Sequence, residues 1–236
     1  MIKVLKPFGL SALLLLGAAG VEAQEKIETT ICADFVNEYI WRGQNLGGVA
    51  VQPTLGVAYK GLSLSAWGSY GIANAADTKE LDLTLGYSVG GLNIGITDYW
   101  TNSPEERYFL YGAHNTSHVF EANVGYDFGP ISLQWFTNFA GNDGLNKDGK
   151  RAYSSYFEAS APFSLVGIDW TATAGIVPYA TTSYETSGFA VTDLSLRATK
   201  QIKVTDSFSI PIFGQLTGNP CSQKAYLVFG FTLQID

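Results

Sequence analysis

Alternation with a period of two runs through almost the whole chain. Leu81-Asp-Leu83-Thr-Leu85-Gly-Tyr87 shows it, as do Ile131-Ser-Leu133-Gln-Trp135 and Ile168-Asp-Trp170-Thr-Ala172-Thr-Ala174. Leu227-Val-Phe229-Gly-Phe231-Thr-Leu233-Gln-Ile235 carries it to the C-terminus. Such a pattern puts one residue set on each face of a sheet. The second set is small or polar rather than heavily charged, which suits a wet interior opposite a lipid-facing exterior.

The first residues say where such a sheet would go. Lys3 and Lys6 precede an apolar run over residues 8–21, and Val21-Glu22-Ala23 offers small residues at both specificity positions of a signal peptidase. This reads as a secretory signal over residues 1–23, cleaved after Ala23 to leave Gln24 as the new N-terminus. The run is short for a membrane span, which needs about 20 residues. The alternative is an uncleaved anchor helix. No later segment is apolar enough for a transmembrane helix, and in lipid only helices and closed barrels satisfy every backbone group. Residues 24–236 are therefore expected to form one outer-membrane β-barrel domain. A soluble β-sandwich is the competing reading of the alternation.

The pattern predicts twelve antiparallel strands, at 28–42, 50–60, 62–71, 79–89, 92–100, 117–128, 131–141, 151–161, 166–177, 189–200, 208–217 and 224–235. Their connections alternate. Lys60-Gly61, Gly90-Gly91, Gly129-Pro130 and residues 162–165 read as tight turns. Between them lie longer polar links at 44–49, 72–78, 101–116, 142–150, 178–188 and 218–223. Short periplasmic turns and long extracellular loops are the bacterial pattern, and an even strand number leaves both termini in the periplasm. Aromatic residues repeat the division. Tyr39, Trp41, Tyr70, Tyr99, Trp100 and Tyr153 fall at the long-loop ends, and Tyr59, Tyr87, Tyr126, Phe128 and Phe163 at the short-turn ends. Two aromatic rings are what membrane interfaces select.

Three segments near the N-terminus have a familiar form: Phe35-Val-Asn-Glu-Tyr-Ile-Trp-Arg-Gly43, Val51-Gln-Pro-Thr-Leu55 and Leu64-Ser-Ala-Trp-Gly-Ser69. They resemble the TorF-type porins, conserved bacterial outer-membrane proteins of unknown function. The likeness is good over about the first third of the chain, and the hairpin rhythm extends it more weakly to the end. It implies an outer-membrane barrel and passive transport. The chain departs from many barrels at its end, Gln234-Ile235-Asp236, where an aromatic residue is usual; Phe231 is the nearest substitute.

Strand phase turns Asp34, Glu38, Arg42, Asp82, Glu121, Asp127, Glu158, Asp169, Asp193 and Arg197 toward the lumen. Carboxylates dominate this set, and a ring of them favours cations. The expected function is passive diffusion of small solutes or ions with a mild cation preference. The alternative is a plugged structural or surface-interaction barrel, because side chains can fill a lumen of this size. Arg42 is the leading constriction candidate, pointing inward beside Glu38. A structural salt bridge is its competing role.

Other chemistry is weakly supported. His114 and His118 flank Asn115 and Ser117, but a lipid hydrolase needs serine, histidine and an orienting group in mutual reach, and there is no G-x-S-x-G elbow. Asn142, Asp143, Asn146 and Asp148 cluster oxygens in one loop without the calcium-loop spacing. The expectation is no enzyme, no cofactor and no metal. The net charge of −7 argues against nucleic acid. The partners expected are outer-membrane lipid and small solutes or ions. Cys32 and Cys221 fall at opposite ends of the barrel, so no disulfide is predicted.

Overall fold

The structure is a computed structural model that describes residues 26–74, 77–102, 107–112, 115–206 and 208–235. The predicted signal over 1–23 and His114 lie outside these. Twelve strands close into one antiparallel barrel. They are β1 (Glu28–Val36), β4 (Ala50–Tyr59), β5 (Leu62–Gly71), β6 (Lys79–Val89), β7 (Leu92–Asn102), β8 (His118–Asp127), β9 (Ser132–Gly141), β10 (Ser155–Leu165), β11 (Ile168–Val177), β12 (Ala190–Lys203), β13 (Ser209–Asn219) and β14 (Lys224–Gln234). Each pairs with its sequence neighbours, and β1 closes the ring by pairing with β4 on one side and β14 on the other. Two further strands, β2 (Tyr39–Trp41) and β3 (Gln44–Gly47), form a separate hairpin outside the barrel ladder.

Alternation explains why the sheet closes in this sense. Leu83, Leu85 and Tyr87 on β6 are exposed, while Asp82 on the same strand is only 7% exposed. Leu55, Val57, Leu62, Leu64, Ile94 and Ile96 continue the apolar exterior across four neighbouring strands. Among the described residues, buried polar side chains outnumber buried apolar ones. This reverses the order of a water-soluble domain and is what lipid outside and water inside require.

The tight turns carry the expected backbone. Lys60-Gly61, Gly90-Gly91 and Val166-Gly167 each place two consecutive residues at positive φ. That geometry matches the twist of the flanking strands. The last of these corrects the sequence reading, which put a turn at 162–165. Pro162 instead lies inside β10, opposite Thr171. Its missing N–H is tolerated because the pairing of β10 with β9 has already ended, at Ser160.

The larger correction concerns the first predicted strand, 28–42. Strand β1 stops at Val36 because Asn37 ends it. The Asn37 side chain donates to the Leu227 carbonyl at 3.1 Å and accepts from the Phe229 N–H at 2.6 Å. The chain then leaves the wall, and residues 39–47 fold back as the β2–β3 hairpin. The aromatic rings change accordingly. Tyr59, Tyr87, Tyr126, Phe128 and Phe163 are exposed at the short-turn end, and Tyr70 and Tyr153 at the other. Tyr39, only 3% exposed, packs inside against Trp67, and Trp41 packs on Tyr99 and Tyr184.

Candidate functional site

The hairpin turns at Arg42-Gly43, both at positive φ. A Cβ on Gly43 would stand 1.7 Å from the Thr192 carbonyl oxygen of β12, so only glycine fits. Asn219 at the end of β13 donates to the Gly43 carbonyl at 2.9 Å. These contacts press the hairpin tip against the inner wall and present Arg42 to the lumen.

Arg42 makes a two-pronged ion pair with Glu121 of β8. Nη1 lies 2.6 Å from Oε2, and Nη2 lies 2.9 Å from Oε1. Both residues are buried. Nη1 also donates to the Tyr184 hydroxyl at 2.5 Å, and Tyr99 of β7 donates to Glu121 Oε1 at 2.8 Å. Phe136, Tyr156 and Trp41 hold the guanidinium between rings at 4.2–4.6 Å from their centroids. Desolvation makes each of these charge and cation–π contacts stronger than it would be at a surface.

Tyr184 comes from a second long connection. It ends the 3₁₀ turn Thr182–Tyr184, which Thr181 caps by accepting from the Ser183 N–H. Its ring stacks between Trp41 and Tyr156. Burial pushes the Tyr184 phenol above its usual range, with nearby Arg42 opposing the shift. Gln44 of the hairpin donates to the Ser183 carbonyl at 3.1 Å. Residues of 37–49 and 178–189 therefore meet inside the barrel.

The remaining predicted lumen residues divide by position. Glu38 sits half-buried at the bend between β1 and β2, and Arg42, which the sequence reading set beside it, pairs with Glu121 instead. Asp82, Glu158 and Asp193 are buried on the inner faces of β6, β10 and β12. Glu158 and Asp193 both lie opposite Gly175 in register, and Asp193 accepts from Ser195. Arg197 lays its guanidinium 3.6 Å from the Phe213 ring centroid, with no hydrogen-bond partner at Nε. Asp34 accepts from Thr232 at 2.5 Å. Asp127 and Asp169 are elsewhere. The first caps the turn at Gly129, and the second is exposed at the short-turn rim, bonded to Ser164.

Glu80 belongs with this group and is absent from the sequence set, although it shares the phase of Asp82. It accepts from the Tyr39 hydroxyl at 2.9 Å. Tyr184 lies in an irregular segment whose sequence carries no periodic signal.

His118 falls within the strand expected at 117–128. It opens β8 on the outer wall and is fully buried. Its Nδ1 is 2.7 Å from Asp98 Oδ1, and its Nε2 is 2.6 Å from the Tyr108 carbonyl oxygen. Since both nitrogens face these oxygens, neither is placed to take a proton from serine. Asp143 likewise serves the fold, accepting from Asn138, Gly144, Ser154 and Ser183. Cys32 on β1 and Cys221 beyond β13 are free thiols.

No family model matches the chain, and no curated protein matches it in sequence. The likeness to TorF-type porins thus rests on the three motifs alone. The solved structures of similar architecture include the following two. One is the COG4313 outer membrane channel from Pseudomonas putida F1, 14% identical, with a TM-score of 0.42 over 90% of this chain and 97% of that one. The other is Salmonella typhi OmpF in complex with daunomycin, 9% identical, with a TM-score of 0.37 over 89% of this chain and 97% of that one.

Proposed function

We propose that this chain is a bacterial outer-membrane channel for small cations and other small solutes, with a lumen that the β2–β3 hairpin holds narrow. The carrying observation is the arrangement of the wall. An apolar exterior surrounds an interior bearing Asp34, Glu80, Asp82, Glu121, Glu158 and Asp193 against Arg42 and Arg197. That excess of carboxylates lowers the barrier to cations and raises it to anions. Short turns on one side and long connections on the other favour periplasmic termini. Outer-membrane lipid is the partner of the exterior.

One observation favours a second reading, a plugged barrel. The Arg42–Glu121 pair and its aromatic sandwich place well-bonded groups inside the lumen. Planar-bilayer recording of the refolded protein across a salt gradient separates the two. The channel reading expects stepwise currents with a cation-favouring reversal potential, larger in Arg42→Ala. Silence from both folded proteins would establish the plug.

A further inference from the structure

The ladder between β1 and β14 is the shortest around the barrel among the described residues. It pairs residues 32–36 with 230–234, five positions, whereas β6 and β7 pair over eleven. Beyond Val36 no strand lies beside β14 on this side, although β14 runs on to Lys224. Asn37 alone takes that place. Its N–H donates to the Phe229 carbonyl at 3.1 Å, and its side-chain amide donates to the Leu227 carbonyl at 3.1 Å. Its side-chain oxygen accepts from the Phe229 N–H at 2.6 Å. Asn37 is exposed, as are Leu227 and Phe229 on the outward face of β14 and Val49 just ahead of β4. The wall is therefore notched between β14 and β4. An unpaired strand edge is costly in lipid, and one asparagine is a slight cover for it.

Behind the notch the lumen is apolar. Most buried side chains of the barrel are polar, yet Val36 of β1, Ala50 of β4, Phe213 of β13 and Val228 of β14 pack into one cluster. These are the two strands of the short ladder and the next strand on either side. Ile40 of the hairpin packs against the cluster from within. On the outside, Phe35 and Phe231 stack across the same ladder with ring centroids 4.9 Å apart. Apolar surface thus lies on both sides of the notch, and Asn37 and Ile40 stand between them. We propose that the notch is a lateral portal, through which small uncharged apolar molecules pass between the membrane and the lumen. Ile40 is its inner stop. What arrives from this side must dissolve in lipid, and the cluster that receives it contains no charged or polar side chain. Two of the three Asn37 bonds are made by its side chain, so a rotamer change releases them without unzipping a ladder. This route goes beyond the polar path through the mouth and does not depend on it.

Photolabelling from the bilayer tests the portal on the refolded full chain in phospholipid vesicles. The probe is trifluoromethyl-iodophenyl-diazirine, a small uncharged label that concentrates in lipid, and the labelled positions are read by peptide mass spectrometry. The outward residues Leu85 and Leu227 are labelled in either case. The portal expects label on the inward residues Val36, Ile40 and Val228 as well, and none on Phe136 and Tyr156, which form a separate inner cluster on β9 and β10. Ile40→Ala should increase the label on Val228, and Ile40→Trp, which fills the space behind the notch, should abolish it. Heat-modifiable migration checks that each variant is folded, and the wild-type pattern decides the matter alone if neither is. Label confined to outward residues in wild type and Ile40→Ala overturns the portal. Label spread equally over Val228 and Phe136 also overturns it, because the probe has then entered through the mouth. The readout needs no current, so a silent barrel can carry the portal and a conducting one can lack it.

Discussion

Arg42 and Glu121, 79 positions apart in the chain, meet inside the barrel through two parallel N–H to carboxylate bonds of 2.6 and 2.9 Å. The pair joins a hairpin that belongs to no barrel strand to the wall strand β8. Its strength follows from geometry and from dryness together, since each charge satisfies the other where water cannot.

Removing one partner leaves the other buried and uncompensated. Arg42→Ala or Glu121→Ala is expected to cost about 3 kcal/mol of stability in urea unfolding of the refolded barrel, while the double variant should cost less than the sum of the singles. Additive costs would show that the pair is not coupled.

Gly43→Ala should have a different signature. The new methyl group meets the Thr192 carbonyl, and alanine is disfavoured at φ +79. The hairpin tip must lift from β12 and draw Arg42 away from Glu121. Faster hydrogen exchange over residues 39–47, with barrel strands unchanged, is the expected result. Exchange indistinguishable from wild type would mean that the tip is not seated on Thr192.

Much of this wall was legible from period two, and the site less so. Leu83, Leu85 and Tyr87 fixed the phase of β6 and with it the inward face of Asp82. The same rule misled at residues 37–42. Tyr39 and Trp41 keep the alternation and the aromatic character of a wall strand, so nothing local separates an inserted hairpin from one. Arg42-Gly43 was the available sign, since it has the form of the turn at Lys60-Gly61. Pro162 was misread for the converse reason: the ladder with β9 has ended before it, so proline is tolerated inside β10. The Tyr184 contact depends on how two long connections fold together, which periodicity does not encode.

The outer wall makes a prediction that the lumen does not share. Leu85 on β6 and Ile96 on β7 are cross-strand neighbours with exposed side chains, near the middle of their strands. Leu85→Arg is expected to destabilise the barrel in lipid vesicles by about 2–4 kcal/mol, the cost of a cation at the bilayer midplane. The same substitution should cost much less in a water-rich detergent. Equal costs in the two media would place this face away from lipid.

A last prediction concerns His118, which clasps a connection onto the outside of the barrel. Its imidazole bridges the Asp98 carboxylate and the Tyr108 carbonyl. The Tyr111 ring stacks on it with centroids 4.2 Å apart, and Trp100 is its cross-strand neighbour. Because a carbonyl only accepts, Nε2 must carry a proton, and the imidazole holds the segment 107–112 by a bond that asparagine or alanine cannot reproduce across the same span. His118→Ala should therefore release that segment at a cost of about 1–3 kcal/mol. Trp100, which the Tyr108 ring covers at 5.1 Å between centroids, should become more accessible to an aqueous quencher. Asp98→Asn should have a smaller effect in the same direction, since the Tyr108 bond survives it. Heat-modifiable migration should persist in both, because the ladder from β7 to β8 does not depend on the imidazole. If Trp100 quenching is unchanged in His118→Ala, the segment is held by its aromatic packing alone, and the clasp is not what keeps it on the wall.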